Sequence, residues 1–213
     1  MNRPVAVALA TVLLAGAAGL AIAQPRPGGP PPAPTPVVTD PAQVPAGHYV
    51  TDAHHGGFTL KVQHMGLDQS MFRLDKFSGT FDYDPAHLEA AKVNFSVEAG
   101  SFDQGDPGIS ATFAKEFLDA PNHPTDTFVS TGLKRTGKNT GVLSGDLTIA
   151  GVTKPISLNV TFNGMRTGMG PPRVGFTAKG TIVRADFDIG KQMPTAMVGN
   201  VDLDVTMEFT KAG

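Results

Sequence analysis

What most constrains this chain is an alternation of period two that begins at Tyr49 and runs nearly to its end. Phe58, Leu60, Val62 and His64 alternate with Gly57, Thr59, Lys61 and Gln63. The same beat recurs in Phe77-Gly79-Phe81-Tyr83, Val93-Phe95-Val97, Leu143-Gly145-Leu147-Ile149 and Ile156-Leu158-Val160-Phe162. It closes with Val174-Phe176-Ala178-Gly180-Ile182 and Val201-Leu203-Val205-Met207-Phe209. Successive side chains on a strand point to opposite faces, so each segment has one apolar and one wet face. One-sided strands joined by turn signals predict an antiparallel barrel or sandwich rather than a parallel sheet. Closure into a barrel removes exposed edges and leaves room for a ligand, but alternation alone does not choose between the two.

One segment departs from the beat. Asp106 can cap a helix that opens on Pro107, where a missing N–H costs nothing. Ile109, Phe113 and Phe117 follow as a single apolar stripe, and Pro121 and Pro124 lie beyond it. The spacing predicts a short helix over 107–118, pressed on the sheet or over one barrel mouth. Its phenylalanines serve either as a core plug or as a movable lid.

Ahead of the domain stand two segments of another kind. Residues 1–23 have one cation, Arg3, then an apolar run ending Ala21-Ile22-Ala23. That is the order of a cleaved secretory signal peptide. The run approaches the ~17–25 residues of a membrane anchor, but small residues dominate it and no cationic cluster follows. Residues 24–47 hold half of the 18 prolines, and the expected role is an extended, solvated linker. A polyproline docking site is the alternative. The remaining 48–213 is one domain, long enough to bury a core.

Composition removes several classes of function. There is no cysteine, so disulfides, thiolate metal sites and lipoprotein acylation are out. Without Arg3, the 17 Lys+Arg become 16 against 19 Asp+Glu, a net charge of −3. No basic cluster stands out, and nucleic acid is not an expected partner. His48, His54 and His55 are close in sequence, but adjacent strand residues face opposite ways, so no metal site is expected. No G-x-S-x-G elbow is present and Ser144-Gly145 lies in an alternating strand, so no catalytic residue and no enzyme activity are expected. Asp202 and Asp204 read as a solvated strand exterior. The Gly164–Pro172 stretch reads as a flexible connection, in which exposed Met165 and Met169 are candidates for transient contact with lipid or a membrane.

The motifs resemble the YceI-like family. Tyr49-x-x-Asp52-x-x-His55 with Phe58 and His64 is similar to its opening, and Phe77-Ser78-Gly79-Thr80 with Asp84-Pro85 to its second motif. Glu116-Phe117-Leu118-Asp119, Pro124 and Phe128-x-Ser130-Thr131 are similar to its helix-to-strand junction. Gly145 through Pro155, Gly175-Phe176 and Arg184-x-Asp186-Phe187 complete the order. Three positions differ: Gly56 where the family often has Ser, Gly108-Ile109-Ser110 in place of an Arg-Asp pair, and Asp188 where Gly is common.

The resemblance implies an all-β, lipocalin-like extended antiparallel β-barrel of about eight strands, with one short helix near a mouth. It implies a periplasmic protein that binds a polyisoprenoid or prenylquinone-like lipid, with no other cofactor; family members often pair, so a homodimer stays open. The expected cavity lining is Phe58, Leu60, Val62, His64, Phe81, Phe95, Phe113, Phe117, Leu147, Leu158, Val160, Phe176 and Leu203. His55 and His64 are candidate head-group contacts; for His64 the competing reading is a core histidine satisfied by backbone or by Asp52. Three classes of function remain: a lipid carrier or reservoir, an interaction protein with a packed barrel, and an enzyme acting on a bound prenyl compound.

Overall fold

The computed structural model describes residues 35–168, 170–191, 193 and 198–213. Residues 1–23, expected to be a signal peptide, the first part of the expected proline-rich linker and Met169 lie outside the described residues. The strands are β1 (Gly47–His64), β2 (Asp68–Leu74), β3 (Phe77–Tyr83), β4 (Lys92–Glu98) and β5 (Phe102–Asp103). After the helix α1 (Pro107–Leu118) come β6 (Thr125–Arg135), β7 (Thr140–Ile149), β8 (Val152–Arg166), β9 (Arg173–Ile182) and β10 (Val198–Lys211).

All pairings between named strands are antiparallel, and β10 pairs with β1 to close the ring. The closed barrel has eight strands: β1, β3, β4, β6, β7, β8, β9 and β10. β3 pairs with the start of β1 and β2 with its end, so β2 continues the wall past the ring. The two-residue β5 covers the edge of β2. Strands that close on each other leave no unpaired edge for another chain to copy.

The first of two irregularities in the pairing of β1 with β10 decides which residues of β1 face inward. Thr51 opposes Phe209 and Gly56 opposes Met207, so five steps along β1 match two along β10. The odd surplus reverses the side-chain alternation. Tyr49 before the bulge and Phe58 after it therefore both point into the barrel, and Asp52 through His55 are thrown outward.

The barrel is packed shut at one end. Tyr49, Phe81, Tyr83, Phe162, Met165, Val174 and Phe209 form a buried cluster with Val44. The chain ahead of β1 belongs to this floor. Val38 exchanges two backbone hydrogen bonds with Met165, at 2.8 and 2.9 Å. Buried Tyr49 and Tyr83 donate their hydroxyls to the carbonyls of Pro45 and Pro41, at 2.6 and 2.7 Å. The expectation of a solvated linker up to residue 47 is corrected over 38–45. Prolines withhold donors but still offer carbonyls, and the two phenols use them. Met165, expected to be exposed, is 5% exposed within this floor, so it is not available to a membrane.

Helix α1 begins as its cap predicts: Asp106 accepts from the N–H groups of Gly108 and Ile109 at 2.9 and 3.0 Å. It ends before the prolines, at left-handed Asp119, with Ala120 N donating back to the Ala114 carbonyl at 3.1 Å. The buried row is Ser110, Ala114 and Leu118, with Phe113 and Phe117 beside it, and Ile109 is exposed. The predicted stripe was thus one residue out of phase at its start. Ser110 replaces Ile109 at the inner face because its hydroxyl accepts from Gln104 N at 3.0 Å.

Candidate ligand cavity and the polar groups on its wall

The open half of the barrel encloses two adjoining cavities of about 280 and 140 Å³. Phe58, Phe95, Phe128, Leu147 and Leu203 border both. The larger lies under α1 and β2 and reaches the surface beside exposed His64. The smaller lies deeper, above the aromatic floor, between Phe81, Leu158, Val160, Phe176 and Met207. A narrow, apolar, largely preformed cleft of this size is what small-molecule sites in barrels look like.

Space for the cavities comes from glycines on the inner face. A Cβ at Gly79 would stand 2.3 Å from the Phe95 ring, and one at Gly145 would stand 2.4 Å from the Phe128 ring. Each ring lies flat over a missing side chain of the next strand, which keeps it against the wall and out of the lumen. Phe95 is in turn stacked between Phe58 and Phe77, with ring centroids 6.0 and 5.8 Å away. On the other wall Phe72, Phe102, Phe113 and Phe117 make a continuous chain of ring contacts from β2 to α1.

All thirteen residues expected to line the cavity border one cavity or both. Leu60, Val62, His64, Phe113 and Phe117 border the larger, and Phe58, Phe95, Leu147 and Leu203 border both. Phe81, Leu158, Val160 and Phe176 border the smaller. His64 is a rim group rather than a core histidine, and Asp52 is bonded to His55, not to it. His55 is the misplacement. The β1 bulge puts it outside the barrel, with its Nδ1 3.0 Å from Asp52 and 3.2 Å from Arg173. Arg173 also pairs with Asp52 and Glu208, each at 3.1 Å. Asp52, His55 and Glu208 offer three ligand atoms close together, but the guanidinium already supplies the positive charge that a metal ion would bring. Hydrogen bonds from His55 and from His54 N hold the Asp52 carboxyl below its ordinary value.

Two charged residues on the larger cavity's wall were not anticipated. Arg184 is 5% exposed, and its guanidinium donates to the carbonyls of Ile189, Gly190 and Met193 at 2.8–2.9 Å. It thereby ties the loop after Phe187 to the mouth. Asp188 turns that loop with φ +62°, a conformation Asp tolerates better than most side chains, so the departure from Gly there leaves the turn intact. Asp126 is 7% exposed, and its Oδ1 accepts from Ala150 N at 3.0 Å. Burial pushes its carboxyl up to about 6, against smaller opposing effects of the Ala150 N–H and of His123. Arg184 lay in a recognised motif without an assigned task; Asp126 gave no sign beyond an acid two residues before Phe128 on the apolar beat.

The YceI-like domain model matches residues 49–210, which is the barrel almost in full. The chain belongs to the YceI-like family. A UPF0312 protein of Pseudomonas syringae pv. tomato is 37% identical over 173 residues, covering 78% of this chain and 88% of that relative. Among solved structures, the YCEI protein of Campylobacter jejuni is 25% identical, with a TM-score of 0.65 over 69% of this chain and 88% of the other. BcnA of Burkholderia cenocepacia shares the fold with a TM-score of 0.67 at 24% identity, covering 74% of this chain and 98% of that one. A polyisoprenoid binding domain from Saccharophagus degradans shares the fold with a TM-score of 0.58 at 14% identity, covering 79% and 100%. This YceI-like barrel thus shares its overall fold with these structures.

Proposed function

We propose that this protein holds a long polyisoprenoid or prenylquinone-like lipid in its barrel, for carriage or storage in the periplasm, and performs no chemistry on it. The observation that carries the reading is the pair of adjoining apolar cavities under α1, lined by phenylalanine, leucine and valine. The polyisoprenoid binding domain among the fold's relatives supports the same class of ligand. Burying a methylene gains ~0.8 kcal/mol, so ten buried carbons gain roughly 8 kcal/mol. Association costs ~4–15 kcal/mol, so short tails fail where long ones hold, without any charged anchor.

The polar groups of the wall are engaged in structure rather than grouped for catalysis: Arg184 on loop carbonyls and Asp126 on the β7–β8 turn. Export through residues 1–23 accounts for the periplasmic setting. For transient membrane contact we assign the β1–β2 hairpin, which stands next to the mouth. Met65, Leu67 and Met71 are 51%, 84% and 65% exposed there, and Met65 holds a left-handed φ of +53° at the turn. Large apolar side chains at a hairpin tip are unfavourable in water and favourable in an acyl layer.

The test is native mass spectrometry, with organic extraction, of the mature protein from a periplasmic fraction. A stoichiometric prenyl lipid that is lost on Leu158→Asp, with the fold retained, is expected. A clean ligand-free mass and no uptake of added prenylquinone would reject the reading and favour the packed-barrel interaction protein.

A further inference from the structure

Asp126 carries more than a turn. It stands on β6 opposite Val97, two residues before Phe128, and both Asp126 and Phe128 border the larger cavity. Oδ1 is occupied by Ala150 N, at the tight β7–β8 turn where Ala150 and Gly151 have φ of +48° and +78°. Oδ2 has no hydrogen-bond or ion-pair partner among the described residues, and no side-chain oxygen there is both sealed and unsatisfied. Asp126 is only 7% exposed and borders the larger cavity, which is the open space on its side of the wall. A ligand's O–H reaching that oxygen would supply a donor that the apolar side chains around it do not.

We infer that Asp126 Oδ2 is the acceptor for the head group of the bound lipid, and that this head is a hydroxyl: a prenyl alcohol, prenylphenol or prenylquinol. The inference rests on the lipid-holding reading and deepens it. A phosphate or diphosphate head is disfavoured by charge, since at about pH 8 it would meet a carboxylate in an apolar wall. The neighbouring cation, Arg184, has its guanidinium directed to the carbonyls of Ile189, Gly190 and Met193. The other titratable group beside Asp126 is His123, in the connection from α1 to β6. The carboxyl titrates near 6, so at about pH 8 it is ionised and acts as an acceptor only.

The experiment compares geranylgeraniol, its methyl ether and geranylgeranyl diphosphate as ligands of the delipidated full-length mature protein at about pH 8. Hydrogen bonds to charged groups contribute ~1.5–3 kcal/mol, so the alcohol should bind roughly ten- to hundredfold more tightly than the ether. The diphosphate should bind more weakly than either. Asp126→Asn keeps the carbonyl for Ala150 N and turns an NH₂ toward the cavity, so the turn survives while the acceptor becomes a donor. In that variant the preference for alcohol over ether should vanish or reverse. Because the readout is a ratio within one protein, it does not depend on the variant's stability. Equal binding of alcohol and ether by the wild type, or an unchanged ratio in Asp126→Asn, overturns the head-group assignment and leaves the lipid reading standing. Failure to bind any of the three rejects the lipid reading itself.

Discussion

Replacing Asp126 by Asn should remove a specific pH dependence from the stability of the barrel. In the unfolded chain the carboxyl titrates near its ordinary 3.8, and in the folded protein near 6. Below about pH 3.8 it is protonated in both states and contributes no difference. Between about pH 4 and 6 the unfolded chain releases the proton while the folded barrel keeps it, so folding binds a proton and stability falls as pH rises. The slope is about 1.36 kcal/mol per pH unit, and the loss totals on the order of 3 kcal/mol by about pH 6.5 before levelling off. The Asn side chain keeps the hydrogen bond from Ala150 N and has nothing to titrate. The difference in unfolding free energy between wild type and Asp126→Asn, followed by urea denaturation from about pH 4 to 7, should move by about that amount against the wild type. In thermal scans it is a relative shift of roughly 6–12 °C, since 1 kcal/mol is ~2–4 °C for a chain of this size. Carboxylates common to both proteins, such as Asp52, cancel in the difference. A difference that stays flat across this range would show that Asp126 is ionised in the fold already, neutralised by Arg184 or His123, and would refute the account of a desolvated acid on a lipid-facing wall.

Other expectations follow from the packing. Gly145→Val should cost about 1–3 kcal/mol by overpacking, because the first added carbon already meets the Phe128 ring and the Val129 carbonyl within 2.6 Å. The displaced ring should also reduce lipid uptake, read as the fraction of loaded protein. Tyr83→Phe removes one buried hydrogen bond to Pro41 and should cost about 0.5–1.5 kcal/mol, with faster amide exchange at Val38 and Val44 than elsewhere in the floor. Leu67→Glu should leave folding and binding of dispersed lipid intact while slowing lipid uptake from vesicles; an unchanged rate from vesicles would move membrane contact away from the β1–β2 hairpin.

The sequence carries the wall of the barrel well and its special points poorly, for physical reasons that differ from element to element. Seven strands show clean alternation because one face meets apolar neighbours and the other water. β2 does not, because outward Met71 sits between inward Ser70 and Phe72, so polar and apolar residues stand on the wrong sides. β6 announces itself only at Phe128, since Asp126 takes an inward position that the beat reserves for apolar residues. The cavity-lining residues were accessible because an inward strand position is a matter of parity. His55 was misjudged because parity changes at the bulge, and a three-dimensional register shift leaves no mark in a run of polar residues. The folded part of the proline-rich segment was hidden for a similar reason: its anchors are two tyrosines, Tyr49 just after it and Tyr83 far along the chain, that find carbonyls, and composition records no such contact.

The central claim is that the lumen exists to hold a long apolar tail. Calorimetric titration of delipidated protein with a long-chain prenylquinone tests it most directly, over several temperatures and with Phe95→Asp as the comparison. The account predicts one ligand per barrel, a negative heat-capacity change from burial of apolar surface, and loss of binding when a charge is set between the two cavities. Absence of saturable binding by the well-folded wild type, or equal binding by Phe95→Asp, would contradict it.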